Sequence, residues 1–342
     1  MNINPLDKSN FRQMLLDSPG QFEVGFEIAK DIKVNGDFKA IEVSGMGGSA
    51  WPINVLRVYL DDIYKRDKTI KKLAIYQNRF YSLSREAYDN CLNIFSSYSG
   101  NTEETISSFE EAIANNLPSL GISSGGKIEQ MCKENNLPHI KLPVPFENFQ
   151  PRLGTGYFFA ALVQLLINMN IIPDTRAEIL EGSKMLKANV ELFEKTGNEL
   201  AQKIKGKTPV IYSTTKYKPL ALVWKIQINE NAKTPAFWNF FPELNHNEMV
   251  GFTNPQAKFI AIMLRDKSDH PRSLKRFEIT ANLLRKNGIE VEIIDNQQGD
   301  VFYKIFSSLL IGGFNSYYLA LEYGSDPTPV DMVEELKKLL TQ

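Results

Sequence analysis

The chain has 342 residues, 43% of them hydrophobic, with 39 basic against 40 acidic side chains. That is material for one large or two medium domains with a buried core, and the near-neutral balance lacks the basic excess of a nucleic-acid binder. Cys91 and Cys132 are too few for a disulfide framework and lack metal-ligand spacing. With no basic-then-apolar leader in view, a cytoplasmic protein with neither nucleic-acid nor membrane partners is expected.

Residues 1–35 read as an amphipathic helical segment lying outside the first core. Strands are expected at 38–43, 72–76, 92–95, 119–122 and 139–142, with helical sequence between most of them. This alternation indicates a parallel sheet covered on both faces. Residues 151–204 read as helical throughout. Within them, 154–173 has the length of a membrane span, but Gln164, Asn168 and Asn170 interrupt it and no basic cluster flanks it. A buried core or interface helix is expected there. Alternation resumes with strands at 209–212, 259–263 and 290–294 and helices at 273–287 and 302–323. The expected fold is therefore α/β. An N-terminal segment (1–35) precedes two doubly wound, flavodoxin-like domains (36–150 and 205–342), joined by a helical connection (151–204).

Only the first half carries glycine- and hydroxyl-rich turns. Gly45-Met-Gly-Gly-Ser-Ala50 follows a strand and matches G-x-G-x-x-A. A dinucleotide site also needs an acidic residue ending the second strand; here that strand runs into Gln77-Asn78-Arg79, and Asp61 and Asp62 fall in the preceding helical sequence. The second turn is Ser96-Ser-Tyr-Ser-Gly-Asn-Thr-Glu-Glu-Thr105. Helix N-termini supply free N–H groups and partial positive charge, which suit phosphate without lysine. Ser49, Ser97, Ser99 and Thr102 add hydroxyls, while Gly47, Gly48 and Gly100 permit close backbone approach. One such turn is most simply a helix cap; two in one domain point to a phosphate cradle.

These two turns, with Ile122-Ser-Ser-Gly-Gly-Lys-Ile128, resemble the sugar isomerase (SIS) domain. "PRLGTGYFF" (151–159), "NENAKTPAFWNFFPELNHNEMVGF" (229–252) and "YGSDPTPVDMVEELKKLL" (323–340) narrow the resemblance to the bifunctional phosphoglucose/phosphomannose isomerases. The resemblance implies two SIS domains and a metal- and cofactor-free aldose–ketose isomerase. Such an enzyme converts glucose 6-phosphate, and mannose 6-phosphate as well, to fructose 6-phosphate through a cis-enediol. It also implies a homodimer.

Glu230 follows an apolar helical run, where its composition fits either a solvated helix-end carboxylate or a partly buried base. The resemblance makes it the catalytic base. His246, between Asn245 and Asn247, fits a hydrogen-bonded structural histidine on its own terms. The family pattern makes it the ring-opening acid/base acting across the dimer interface; from their place in the sequence, Asn245, Asn247 and Glu248 are expected to fix its tautomer. Arg152 matches the arginine that stabilises the enediolate, and Lys337, with Lys338 beside it, matches an active-site lysine. Val330 stands where some members carry a threonine linked to accepting both epimers; Thr328 is two residues away. The competing readings are a non-catalytic sugar-phosphate sensor and an NAD(P)-dependent dehydrogenase.

Overall fold

The computed structural model describes residues 4–146 and 149–340. The chain forms two compact units, one of residues 17–185 and one of 1–16 with 186–342. The expected N-terminal segment and the expected domains 36–150 and 205–342 each include a few positions outside the described residues.

Helix α1 (Phe11–Asp17) belongs largely to the second unit. There Phe11 stacks on Tyr317 with ring centroids 6.1 Å apart, and Arg12 pairs with Glu194. Helix α2 (Gln21–Ala29) belongs to the first unit.

In that first unit the chain alternates β1 (Ala40–Gly45), α3 (Pro52–Arg66), β2 (Ala74–Asn78), β3 (Cys91–Ser96), α4 (Glu103–Ala114), β4 (Ser119–Ser123), α5 (Gly126–Glu134) and β5 (His139–Lys141). The strands lie in the order β2-β1-β3-β4-β5, and every pairing is parallel. Strands β1, β3 and β4 are buried on both faces, so apolar residues occur at adjacent positions such as Ala40-Ile41, Ile94-Phe95 and Leu120 to Ile122 rather than strictly alternating. From β1 the chain crosses to one side of the sheet and from β3 to the other. This opens a crevice at their carboxyl ends, the place where open α/β sheets take ligands.

Helices α6 (Thr155–Asn168) and α7 (Arg176–Ala188) follow. Helix α6 is the apolar segment noted above, buried along most of its length. Gly25 lets α2 approach it closely, since a Cβ there would lie 2.7 Å from Ala160 Cβ and from Tyr157 O. No helix among the described residues is long and apolar enough to cross a membrane.

The second unit contains α8 (Val190–Ile204), β6 (Thr208–Thr214), α9 (Lys218–Ala232), β7 (Phe237–Phe241), β8 (Phe259–Arg265), α10 (Pro271–Lys286), β9 (Glu290–Asp295), α11 (Val301–Glu322) and α12 (Asp331–Leu340). Its sheet is also wholly parallel, in the order β7-β6-β8-β9. The fold is thus α/β with two parallel sheets flanked by helices, as expected. The sequence reading missed β7, an aromatic run that pairs in register with β6. Helix α11 is buried almost end to end. Trp224 of α9 packs on it at Gly312 and donates its indole N–H to Ser308 O at 3.0 Å.

Candidate active site

The two hydroxyl- and glycine-rich turns lie side by side, because β1 and β3 are neighbours with Gly45 opposite Ser96. The first turn, Gly47–Ser49, is a single tight turn leading into α3. The second, residues 97–102, leads into α4, whose first-turn N–H groups have no acceptor within the helix. Side-chain ties join the two: Ser96 Oγ donates to Ser49 O at 2.8 Å, and Tyr98 N–H donates to Ser49 Oγ at 2.9 Å.

Ser97 is fully buried and organises the second turn. Its Oγ accepts from the N–H of Gly100 at 3.1 Å and of Thr102 at 3.4 Å, and shares a 2.8 Å hydrogen bond with Thr102 Oγ1. Ser99 is exposed, its Oγ accepting from Asn101 N–H at 3.3 Å. Gly100 takes the left-handed region, φ 74°. Among the described residues the N–H groups of Gly47, Gly48 and Ser99 donate to no protein acceptor. Amides left free at a sheet's carboxyl edge can bind an oxyanion.

Arg152 is brought to the same place by backbone packing. A Cβ on Gly48 would lie 2.7 Å from Arg152 N and 2.9 Å from its Cα, so only glycine lets the two turns touch. The turn Pro151–Leu153 is itself held by Gln21, whose Nε2 donates to Leu153 O at 2.7 Å and whose Oε1 accepts from Gly156 N–H at 3.0 Å. Arg152 is buried, with Nη1 donating to Gln150 Oε1 at 2.9 Å. A buried guanidinium makes stronger contacts with an anion than an exposed one does.

In the second unit Glu230 occupies the last turn of α9, half-buried. The helix end is closed around it. Asn231 Nδ2 donates to Ser316 Oγ at 2.9 Å, Asn229 Nδ2 donates to Thr234 O at 2.8 Å, and Lys233 (φ 54°) folds its Nζ back to Glu230 O at 2.9 Å.

His246 ends the short turn Glu243–His246, exposed, and its imidazole makes no hydrogen bond with any described residue. The expectation that Asn245, Asn247 and Glu248 fix its tautomer is not met, because each is committed elsewhere. Asn245 Nδ2 donates to Thr280 and its Oδ1 accepts from Arg276. Asn247 bonds Glu243 and caps Glu248 N–H. The Glu248 carboxylate accepts from Tyr212 O–H at 2.6 Å and from Asn239 Nδ2. Burial, then that carboxylate, holds the Tyr212 phenol well above its usual range.

Lys337 is exposed on α12 and paired with Glu334 at 2.7 Å. Val330 is half-exposed and Thr328 buried. Among the described residues no three His, Cys, Asp or Glu side chains are grouped to hold a metal ion. Strand β2 ends in Asn78, followed by Arg79, so the acidic ribose partner of a dinucleotide site is missing from its place.

Fold, crevice and motif order define a protein of the sugar isomerase class. The model of the bacterial phospho-glucose isomerase C-terminal SIS domain matches residues 193–340. The bifunctional phosphoglucose/phosphomannose isomerase of Caldicellulosiruptor bescii is 34% identical over 95% of this chain and 97% of its own. The enzyme of the same name from Aquifex aeolicus is 32% identical over 92% and 93%. A crystal structure of a hypothetical protein from Thermus thermophilus superposes with a TM-score of 0.74, at 14% identity, over 98% of this chain and 90% of that one; it is similar in fold. The chain belongs to the bifunctional phosphoglucose/phosphomannose isomerase family.

Proposed function

We propose that the protein interconverts glucose 6-phosphate and fructose 6-phosphate, and mannose 6-phosphate and fructose 6-phosphate, without metal or cofactor. The observation that carries this is the pair of amide-bearing turns at the β1/β3 crevice with Arg152 packed on Gly48, in a chain of this family. The phosphoryl oxygens take the free amides of the two turns together with the hydroxyls of Ser49, Ser97, Ser99 and Thr102. Hydrogen bonds to a charged group contribute about 1.5–3 kcal/mol each, so a handful suffices to hold the phosphate while the far end of the sugar reacts.

His246 opens the ring, passing a proton from the anomeric hydroxyl to the ring oxygen. Glu230 then removes the C2 proton of the open aldose, giving a cis-enediol, and returns it to C1 to form the ketose. In the reverse direction, return of the proton to either face of C2 gives glucose or mannose 6-phosphate. Arg152 stabilises the negative charge that builds on the enediolate oxygens, and Lys337 provides a second cation. Val330 in place of threonine makes the mannose reaction the slower one. The active form is a homodimer in which His246 serves the partner's site, working in the cytoplasm.

A coupled assay with each hexose 6-phosphate, with and without chelator, tests the reading. Turnover should be unchanged by EDTA. Glu230→Gln keeps the shape and removes the base, so kcat should fall at least about a hundredfold. Activity lost to EDTA and restored by zinc, or full activity in the variant, sinks the mechanism. Binding without turnover identifies a sensor instead.

A further inference from the structure

Behind the 97–102 turn lies a second tier of hydrogen bonds, made by residues 123–128, for which the reaction has no stated use. Tyr98 O accepts from Ser124 N–H at 2.8 Å and from its Oγ at 2.6 Å, Gly100 O accepts from Ile128 N–H at 3.0 Å, and Asn101 Oδ1 accepts from Lys127 N–H at 3.0 Å. The carbonyls of Tyr98 and Gly100 are therefore engaged at the rear of the turn, while the Ser99 N–H between them has no protein acceptor. The two backbones are as close as chains can lie. A Cβ on Gly100 would sit 1.8 Å from Gly125 O, and one on Gly126 would sit 2.5 Å from Ser99 O. Any shift of Gly125 is transmitted directly to Gly100.

Gly125 O is itself fixed from below. Ser123, fully buried at the end of β4, donates its hydroxyl proton to Gly125 O at 2.7 Å and lies 2.8 Å from His139 Nε2 at the start of β5. A hydroxyl has one proton to give. With that proton on Gly125 O, the contact with the imidazole requires Nε2–H to donate to Ser123 Oγ. The ring fits because residue 121 is glycine, where a Cβ would lie 3.3 Å from His139 Cδ2. Burial keeps His139 below its ordinary pKa, consistent with a neutral ring in this tautomer.

We propose that His139 and Ser123 are positioning residues for the phosphate turn, setting Gly125 O and through it the backbone at Ser99–Gly100, which carries the free Ser99 N–H. The proposal rests on the phosphosugar reading of that turn. It predicts a defect in holding the anion rather than in proton transfer.

The test uses the full chain with Ser123→Ala, His139→Phe and His139→Gln, the last placing an amide N–H within reach of Ser123. KM and kcat for fructose 6-phosphate are measured with the Kd of inorganic phosphate and the melting temperature. Ser123→Ala and His139→Phe should raise both KM and the phosphate Kd about tenfold, the effect of one well-placed hydrogen bond, with kcat within about twofold. His139→Gln should recover most of the loss. Folded variants with wild-type KM and Kd overturn the proposal, as does a Gln variant no better than Phe. If Ser123→Ala does not fold, the Phe and Gln pair decides. If wild type turns over no hexose 6-phosphate, the substrate reading fails while the phosphate Kd values still decide the positioning role.

Discussion

Ser97 directs its hydroxyl to three groups of its own turn, so it shapes the turn that we propose holds the phosphate. Removing it together with Thr102 costs the turn its internal ties and any direct contact with phosphate. Ser97→Ala plus Thr102→Ala should raise KM for fructose 6-phosphate at least about tenfold, and an unchanged KM would show that backbone amides suffice. Glu42 raises a different residue-scale question. It lies buried in the middle of β1, with Ser84 donating to Oε2, and Oε1 has no partner among the described residues. In register on β3, Asn93 Oδ1 also lacks a donor. Burial raises the Glu42 pKa, helped by the charges of Glu86 and Glu111. The folded state thus holds this proton more tightly than the unfolded chain does. Stability from Glu42 is fully present below the unfolded pKa of about 4.3 and is lost as pH rises through the folded value. Glu42→Gln keeps the size and removes the titration. Its stability relative to wild type, from urea melts, should therefore improve between pH 4 and pH 8. A difference independent of pH would mean that Glu42 titrates alike in the folded and unfolded chain.

At the scale of elements, α9 and α11 show how the second unit holds its candidate base. Glu230 rides on the last turn of α9, and α9 is keyed to α11 by Trp224 over Gly312. Trp224→Ala leaves a cavity and removes the indole bond to Ser308 O, which should cost about 3–5 kcal/mol and lower kcat by loosening the helix that carries Glu230. Met332→Ser on α12, at a side chain 84% exposed, should change stability by no more than about 0.5 kcal/mol. Equal effects in calorimetry would contradict this packing. The same elements explain what the sequence made legible. Strands β1, β3 and β4 could be read because two-face burial favours short apolar stretches, though Glu42 and Asn93 interrupt two of them, and the turns after β1 and β3 because glycine and hydroxyl needs are local. Strand β7 could not. Phe237–Phe241 is a half-exposed run whose pairing with β6 depends on a partner distant in sequence. Nor does any local pattern reveal that Arg152 meets Gly48 or that Ser123 reaches His139; those contacts exist only once strands and helices have packed. Glu230 and His246 are candidates through the resemblance alone, since a helix-end glutamate and an exposed histidine look ordinary on their own.

At the scale of the whole molecule, the proposed mechanism requires two chains. An exposed His246 whose imidazole makes no hydrogen bond with any described residue is suited to a partner's site, and β7 supports an interface nearby in sequence. It is an edge strand of its sheet, a position that invites pairing. Phe237 is 55% exposed, and Trp238 stacks on Phe240 with centroids 6.4 Å apart; aromatics of this kind are enriched at interface cores. If His246 serves the partner, His246→Ala and Glu230→Gln homodimers are each inactive for a different reason. Mixed and allowed to exchange, half the dimers become hybrids, and each hybrid has one site with both wild-type groups and one with neither. With independent sites, activity should return to about a quarter of wild type. Differently tagged chains establish that exchange has occurred, and the rate of recovery should match the rate of exchange. Proven exchange without recovery would place Glu230 and His246 in the site of a single chain.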